Sequence, residues 1–167
     1  MLIVYTGNGK GKTCACIGQA IRALGQGLRV YVAQFIKADA GTGEQRFLHQ
    51  VLGERFLAGG LGFFSQPAHK AAHRQKARET CLWCLAALKK SDMLVADEAL
   101  YALDYGLLLQ REIMELIRLA RQLHVHLVLS GRGLPGWIAD EADLITEMHP
   151  VKHPADRGFP ARLGIEF

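Results

Sequence analysis

Apolar residues fall in short dense runs, separated by segments in which they recur every three or four positions. The first run, Leu2–Thr6, reads as a strand buried on both faces. Over residues 12–24 the spacing turns helical, and Gly25 and Gly27 stop the helix. Residues 28–35 are nearly all apolar and predict a second buried strand. A loop over 37–43 leads to an amphipathic helix near 44–52, and 55–58 reads as a short strand. Residues 59–64 combine glycines with two phenylalanines, the composition of a loop that carries aromatics. A long helix is expected over 67–90, basic in its first half and apolar in its second. Residues 93–96 predict a strand. A helix over 110–123 puts Ile113, Leu116, Ile117, Ala120 and Leu123 on one face. Strands follow at 125–130 and 144–148, with a last one at 162–167. Strands alternating with helices predict an α/β fold: one domain over residues 1–167, a mostly parallel sheet with helices on both faces.

The chain has 167 residues, half of them hydrophobic, enough for one well-buried core. No apolar stretch is long enough to span a bilayer, and the first strand starts at once. A cytoplasmic protein with neither signal peptide nor membrane segment is therefore expected. The net charge of +4 suits a polyanionic small ligand, nucleic acid or an ordinary basic surface, and does not choose among them. The four cysteines are Cys14, Cys16, Cys81 and Cys84. A single C-x-x-C without a second pair or histidines reads as reduced core thiols rather than a zinc site. His69 and His73, four apart, read as part of a solvated basic face, and His124 and His126 as structural.

The chemistry begins where the first strand ends. Thr6-Gly7-Asn8-Gly9-Lys10-Gly11-Lys12-Thr13 joins a strand to a helix. Glycines let the backbone turn tightly with its N–H groups inward, and the helix N-terminus faces the same anion. Lys12 would reach phosphate oxygens and the Thr13 hydroxyl a Mg²⁺ ion. The usual first glycine of such a loop falls on Thr6, and the glycines stand at 7, 9 and 11 instead. This spelling suggests phosphates seated otherwise than in a kinase or GTPase. Asp97 and Glu98 end an apolar strand. In a parallel sheet that end lies beside the phosphate loop, where carboxylates manage Mg²⁺. Ser130-Gly131-Arg132-Gly133 ends another strand, and Arg132 reads equally as a phosphate contact or a structural turn arginine.

Together these segments resemble the ATP:corrinoid adenosyltransferases. The loop of residues 6–13 carries the resemblance with Gln34-Phe-Ile-Lys37, Gly43-Glu44, Gly62-Phe63, Asp97-Glu98 and Ser130-Gly-Arg-Gly133. Pro150-Val-Lys-His153 and Gly164-Ile-Glu166 extend it along the whole chain. The resemblance implies a P-loop NTPase-like (RecA-like) sheet and transfer of the 5′-deoxyadenosyl group of ATP to a cob(I)alt corrinoid, releasing triphosphate. It implies ATP seated in reversed phosphate order. Thr6, Gly7, Asn8, Gly9, Lys10, Gly11, Lys12, Thr13 and Arg22 would bind ATP, and Gln34, Lys37, Phe63 and Phe64 the corrinoid. Thr13, Asp97 and Glu98 would hold Mg²⁺ or Mn²⁺, with Lys12, Thr13 and Glu98 closest to the chemistry. It further implies a homodimer and an electron-donating flavoprotein reductant, with no nucleic-acid or membrane partner.

Two departures from the family pattern bear on substrate. After Phe63 the family has Thr then Trp, a tryptophan that helps expel the lower axial ligand; here Phe64 and Ser65 follow. Either Phe64 takes over, or the preferred corrinoid lacks a bulky lower ligand, as in cobinamide or cobyrinic acid a,c-diamide. Many relatives also carry an N-terminal helix over the active site, whereas Met1 here abuts the first strand, so a more open site or another closing segment is expected. Two other readings share the loop and the acidic strand end: a small-molecule kinase or ATPase, and a nucleotide-dependent corrinoid-binding module. Triphosphate release separates all three.

Overall fold

The computed structural model describes residues 1–38, 41–63 and 67–165. In chain order the elements are β1 (Leu2–Thr6), α1 (Lys12–Gly25), β2 (Val30–Gln34), α2 (Gly43–Leu52), β3 (Phe56–Ala58), α3 (Lys70–Leu88) and β4 (Met93–Asp97). They continue with α4 (Ala99–Asp104), α5 (Gln110–Gln122), β5 (His126–Ser130), α6 (Gly136–Ala139) and β6 (Leu144–Glu147). The strands form one parallel sheet in the order β3-β2-β4-β5-β1-β6. Two strands, β5 and β4, therefore lie between β1 and the next strand in sequence, β2. This is the P-loop NTPase-like, RecA-like arrangement, with one strand between the loop strand β1 and the acidic strand β4. The carboxyl ends of β1, β5 and β4 stand side by side, where parallel sheets bind ligands.

Period-two alternation sorts the strand side chains between two helical layers. Ile3, Val30, Val32, Val95 and Val128 pack with Cys16, Ala20 and Ala23 of α1 and Leu48 and Leu52 of α2. Val4, Ala33, Leu94, Ala96, Leu127 and Leu129 pack on the opposite face with α3, α4 and α5. The edge strand β6 is exposed along its length, including Leu144 and Ile145. Among the described residues, no helix is long and apolar enough to cross a membrane.

Several local expectations need correction. Residues 162–165 form a turn rather than a strand, while Glu166 and Phe167 lie outside the described residues. Leu123 falls just past the end of α5 and is exposed, so the core face of that helix ends at Ala120. His73 is not solvated: with Ala77 and Thr80 it occupies the buried stripe of α3 at i, i+4 and i+7. Cys16, Cys81 and Cys84 are buried free thiols, but Cys14 is exposed. Helix α4 is new; six residues are too few for a 3.6-residue period to be read.

Candidate active site

The loop after β1 is laced to the chain that follows β6. The Gly9 N–H donates to the Met148 carbonyl at 2.7 Å, and the Met148 N–H donates to the Thr6 carbonyl at 2.9 Å. A Cβ on Gly7 or Gly9 would stand 2.4 or 2.8 Å from the Met148 oxygen. Close backbone approach thus requires these two glycines, and Gly7 also has φ +94°. Gly11 caps α1 without a side-chain hydrogen bond, so first-turn N–H groups remain directed at whatever fills the cavity. Lys12 Nζ donates to the carbonyls of Gly7 (2.7 Å) and Gly9 (2.8 Å), laying its ammonium across the loop. Burial and the Arg132 charge lower the Lys12 pKa, with Asp97 opposing them.

Behind the loop, strand ends assemble a carboxylate network. Asp97 is 2% exposed. Its Oδ1 accepts hydrogen bonds from Ser130 Oγ at 2.5 Å and Thr13 Oγ1 at 3.4 Å, and its Oδ2 accepts one from Gln34 Nε2 at 3.2 Å. Gln34 Oε1 in turn accepts from Gln45 Nε2 of α2 at 3.0 Å. Gln34 is therefore buried behind Asp97 and does not face the cavity, which corrects its expected corrinoid contact. Strand parity explains this: Gln34 and Asp97 are register partners on the face turned toward α1 and α2.

Glu98 leads into α4 with φ 63°, a left-handed conformation that costs a non-glycine residue about 1–3 kcal/mol and clusters at functional sites. Its N–H donates to Ser130 Oγ at 2.9 Å, and its carboxylate accepts the Lys37 N–H at 3.1 Å. Burial and neighbouring Asp97 push its pKa up to about 7, against the pull of the Lys37 charge and the Lys37 and Ile36 N–H groups. Lys37 Nζ pairs with Glu44 at 2.8 Å. Burial alone would lower the Lys37 pKa, but that hydrogen bond and the charges of Asp97, Glu44 and Glu98 raise it.

A cavity of about 690 Å³ opens over these groups. Its floor is residues 8–13, and Lys37, Phe63 and Arg132 form its walls. The tail contributes His153, Gly164 and Ile165, and Lys10 Nζ donates to the Ile165 carbonyl. Phe63 is 74% exposed, and its ring stands edge-on to Tyr101 with centroids 6.1 Å apart. Asn8, Gly9, Lys10, Gly11, Lys12, Thr13, Lys37 and Phe63 are thus brought together. Thr6 and Gly7 support the loop, and Asp97 and Glu98 stand behind it. Arg22 does not join them: it is exposed in the last turn of α1 and is no part of the cavity lining. Phe64 and Ser65 lie outside the described residues. Sequence reasoning missed Cys14 and Ile17, which line the cavity from α1, and Tyr101, which no local pattern marks.

The sequence profile of the family described as ATP:corrinoid adenosyltransferase BtuR/CobO/CobP matches residues 1–167. The chain belongs to this family. It is 37% identical to "Corrinoid adenosyltransferase CobA" of Salmonella typhimurium, over the whole of this chain and 85% of that one. It is also 37% identical to the corrinoid adenosyltransferase of Pseudomonas aeruginosa, covering 83% of it, and 35% identical to that of Escherichia coli, covering 85%. Family membership makes the chain an ATP:corrinoid adenosyltransferase of cobalamin biosynthesis or salvage, with ATP and a corrinoid as substrates.

Proposed function

We propose that residues 7–13 hold the triphosphate of ATP in reversed order, with C5′ turned toward a corrinoid lying against Phe63. The observation that carries this reading is one cavity lined both by a phosphate cradle and by an exposed aromatic ring. The electron pair of cob(I)alt forms the cobalt–C5′ bond, and the C5′–O5′ pair leaves with triphosphate. No proton moves in this step, so the protein needs no general base. Its work is to align C5′, worth up to about 7–11 kcal/mol, and to neutralise charge building on the leaving group. Lys10, Lys12 and the N-terminus of α1 supply positive potential for that purpose.

The donors around Thr13 fit a hard divalent cation. The Thr13 hydroxyl, hydrogen-bonded to Asp97, and the Glu98 carboxylate are oxygen donors of the kind such an ion takes. Thr13 and Glu98 would hold Mg²⁺ or Mn²⁺, and Asp97, which accepts the Thr13 hydroxyl, would orient it. The ion would supply charge neutralisation on the triphosphate. A homodimer and a flavoprotein electron donor belong to the same reading.

With Phe64 and Ser65 where relatives have Thr and Trp, the favoured corrinoid is one without a bulky lower ligand. The test is an anaerobic spectral assay with ATP, Mg²⁺ and chemically reduced cobinamide or cobalamin, followed by illumination. A light-sensitive alkylcobalt spectrum that EDTA suppresses, formed faster from cobinamide, is the expected result. Equal rates with both corrinoids would refute the preference. No alkylcobalt from either would refute the transfer reading and leave a kinase or a binding module.

A further inference from the structure

We infer that Arg132 is a triphosphate-binding residue whose place is set by Tyr101 and the backbone of α4. The inference rests on the nucleotide orientation proposed above. Arg132 lines the same cavity as the phosphate loop. Among the described residues no carboxylate pairs with it; its guanidinium lies over the Tyr101 ring, 5.9 Å from the centroid. Lys12 and Arg132 both line this cavity, and a planar guanidinium suits phosphate oxygens.

The position of Arg132 is built rather than incidental. Both its neighbours are glycines in conformations that L side chains rarely adopt, Gly131 at φ +144° and Gly133 at φ +67°. A Cβ on Gly131 would stand 2.5 Å from the Tyr101 nitrogen, and one on Gly133 2.7 Å from the Asp104 carboxyl. The turn is thus pressed onto both ends of α4. It is tied to β1 as well, because the Gly131 N–H donates to the Tyr5 carbonyl at 3.1 Å. Tyr101 is itself braced by Tyr105, with ring centroids 4.6 Å apart and hydroxyls 3.0 Å apart. On its other side Tyr101 meets Phe63 edge-on. Tyr101 therefore stands between the cation that would receive the leaving group and the aromatic that would face the corrinoid. As the C5′–O5′ electron pair departs, charge grows on the triphosphate, and Arg132 is placed to bind it. Arg132 touches substrate in this account, and Tyr101 is a positioning residue.

The probe is inorganic tripolyphosphate, titrated calorimetrically into the full chain with Mg²⁺, alongside steady-state transfer kinetics. Arg132→Ala should weaken tripolyphosphate binding by about 10- to 100-fold, the size of a lost charge-assisted contact, with corrinoid KM unchanged. Arg132→Lys should recover part of that loss. Tyr101→Leu should weaken tripolyphosphate binding severalfold, and Tyr101→Phe, which keeps the ring face, should restore it. Wild-type affinity in Arg132→Ala, or a loss confined to corrinoid KM, would overturn the assignment while leaving the phosphate loop intact. Failure of the wild-type chain to bind tripolyphosphate or ATP would overturn the nucleotide site itself, and the inference with it.

Discussion

The two ends of the cavity are built differently. The phosphate end is laced together: Gly7 and Gly9 lie against the Met148 backbone, Lys12 bridges two loop carbonyls, and Asp97 is buried with three hydrogen-bond donors. The aromatic part presents Phe63, which is well exposed. The contrast matches the two substrates. A triphosphate is a fixed array of charges that a preorganised cradle binds best, whereas a corrinoid is a broad face that an exposed ring can meet. The design therefore predicts separable defects: damage at one end should spare binding at the other.

Lys12→Ala should have the largest effect. Removing the ammonium from the cradle should weaken ATP binding more than about 100-fold, measured by titration calorimetry, and transfer should vanish with it. Retained tight binding would break the assignment of the laced end. Gly9→Val comes next. Its Cβ would collide with the Met148 carbonyl, so the loop and the chain after β6 must part. Overpacking of this kind costs about 1–3 kcal/mol, read as a lower Tm together with loss of ATP affinity. Phe63→Ala is the counterpart at the open end. Corrinoid KM should rise about tenfold, from the loss of one aromatic contact of about 1–1.5 kcal/mol, while ATP affinity stays at the wild-type value. A parallel loss of ATP affinity would show that the two ends are coupled. The smallest effect should come from Arg22→Ala. Its position along α1 predicts less than about a twofold change in ATP affinity, because every residue of helix adds about 1.5 Å between it and Thr13. A larger loss would give Arg22 the nucleotide role that the family resemblance implies.

The laced end was legible because its chemistry is local. Strand, glycines, Lys12 and Thr13 are contiguous, and an apolar strand ending in Asp97-Glu98 has one natural place in a parallel sheet. The sheet order followed less directly, since parallel strands are joined through helices whose crossings no short window reveals. Gln34 shows the limit of reading residues one at a time. It ends a strand facing the α1 side, where Gln45 of α2 and Asp97 of β4 satisfy its amide. Period-two parity held the information, but the partners sit on other elements. Arg132 was ambiguous for the same reason: α4 decides its role, and that helix was too short to detect and opens on a left-handed Glu98. Tyr101 had no signal because its partners, Phe63, Tyr105 and Arg132, meet only in the folded chain.

The most direct test of adenosyl transfer at this cavity is the phosphate product formed under turnover with reduced cobinamide, ATP and Mg²⁺, resolved by ³¹P NMR. Intact triphosphate equal in amount to the light-sensitive alkylcobalt product is the predicted result. ADP and orthophosphate, with no alkylcobalt formed, would contradict it and make the chain a phosphohydrolase or kinase on an adenosyltransferase scaffold.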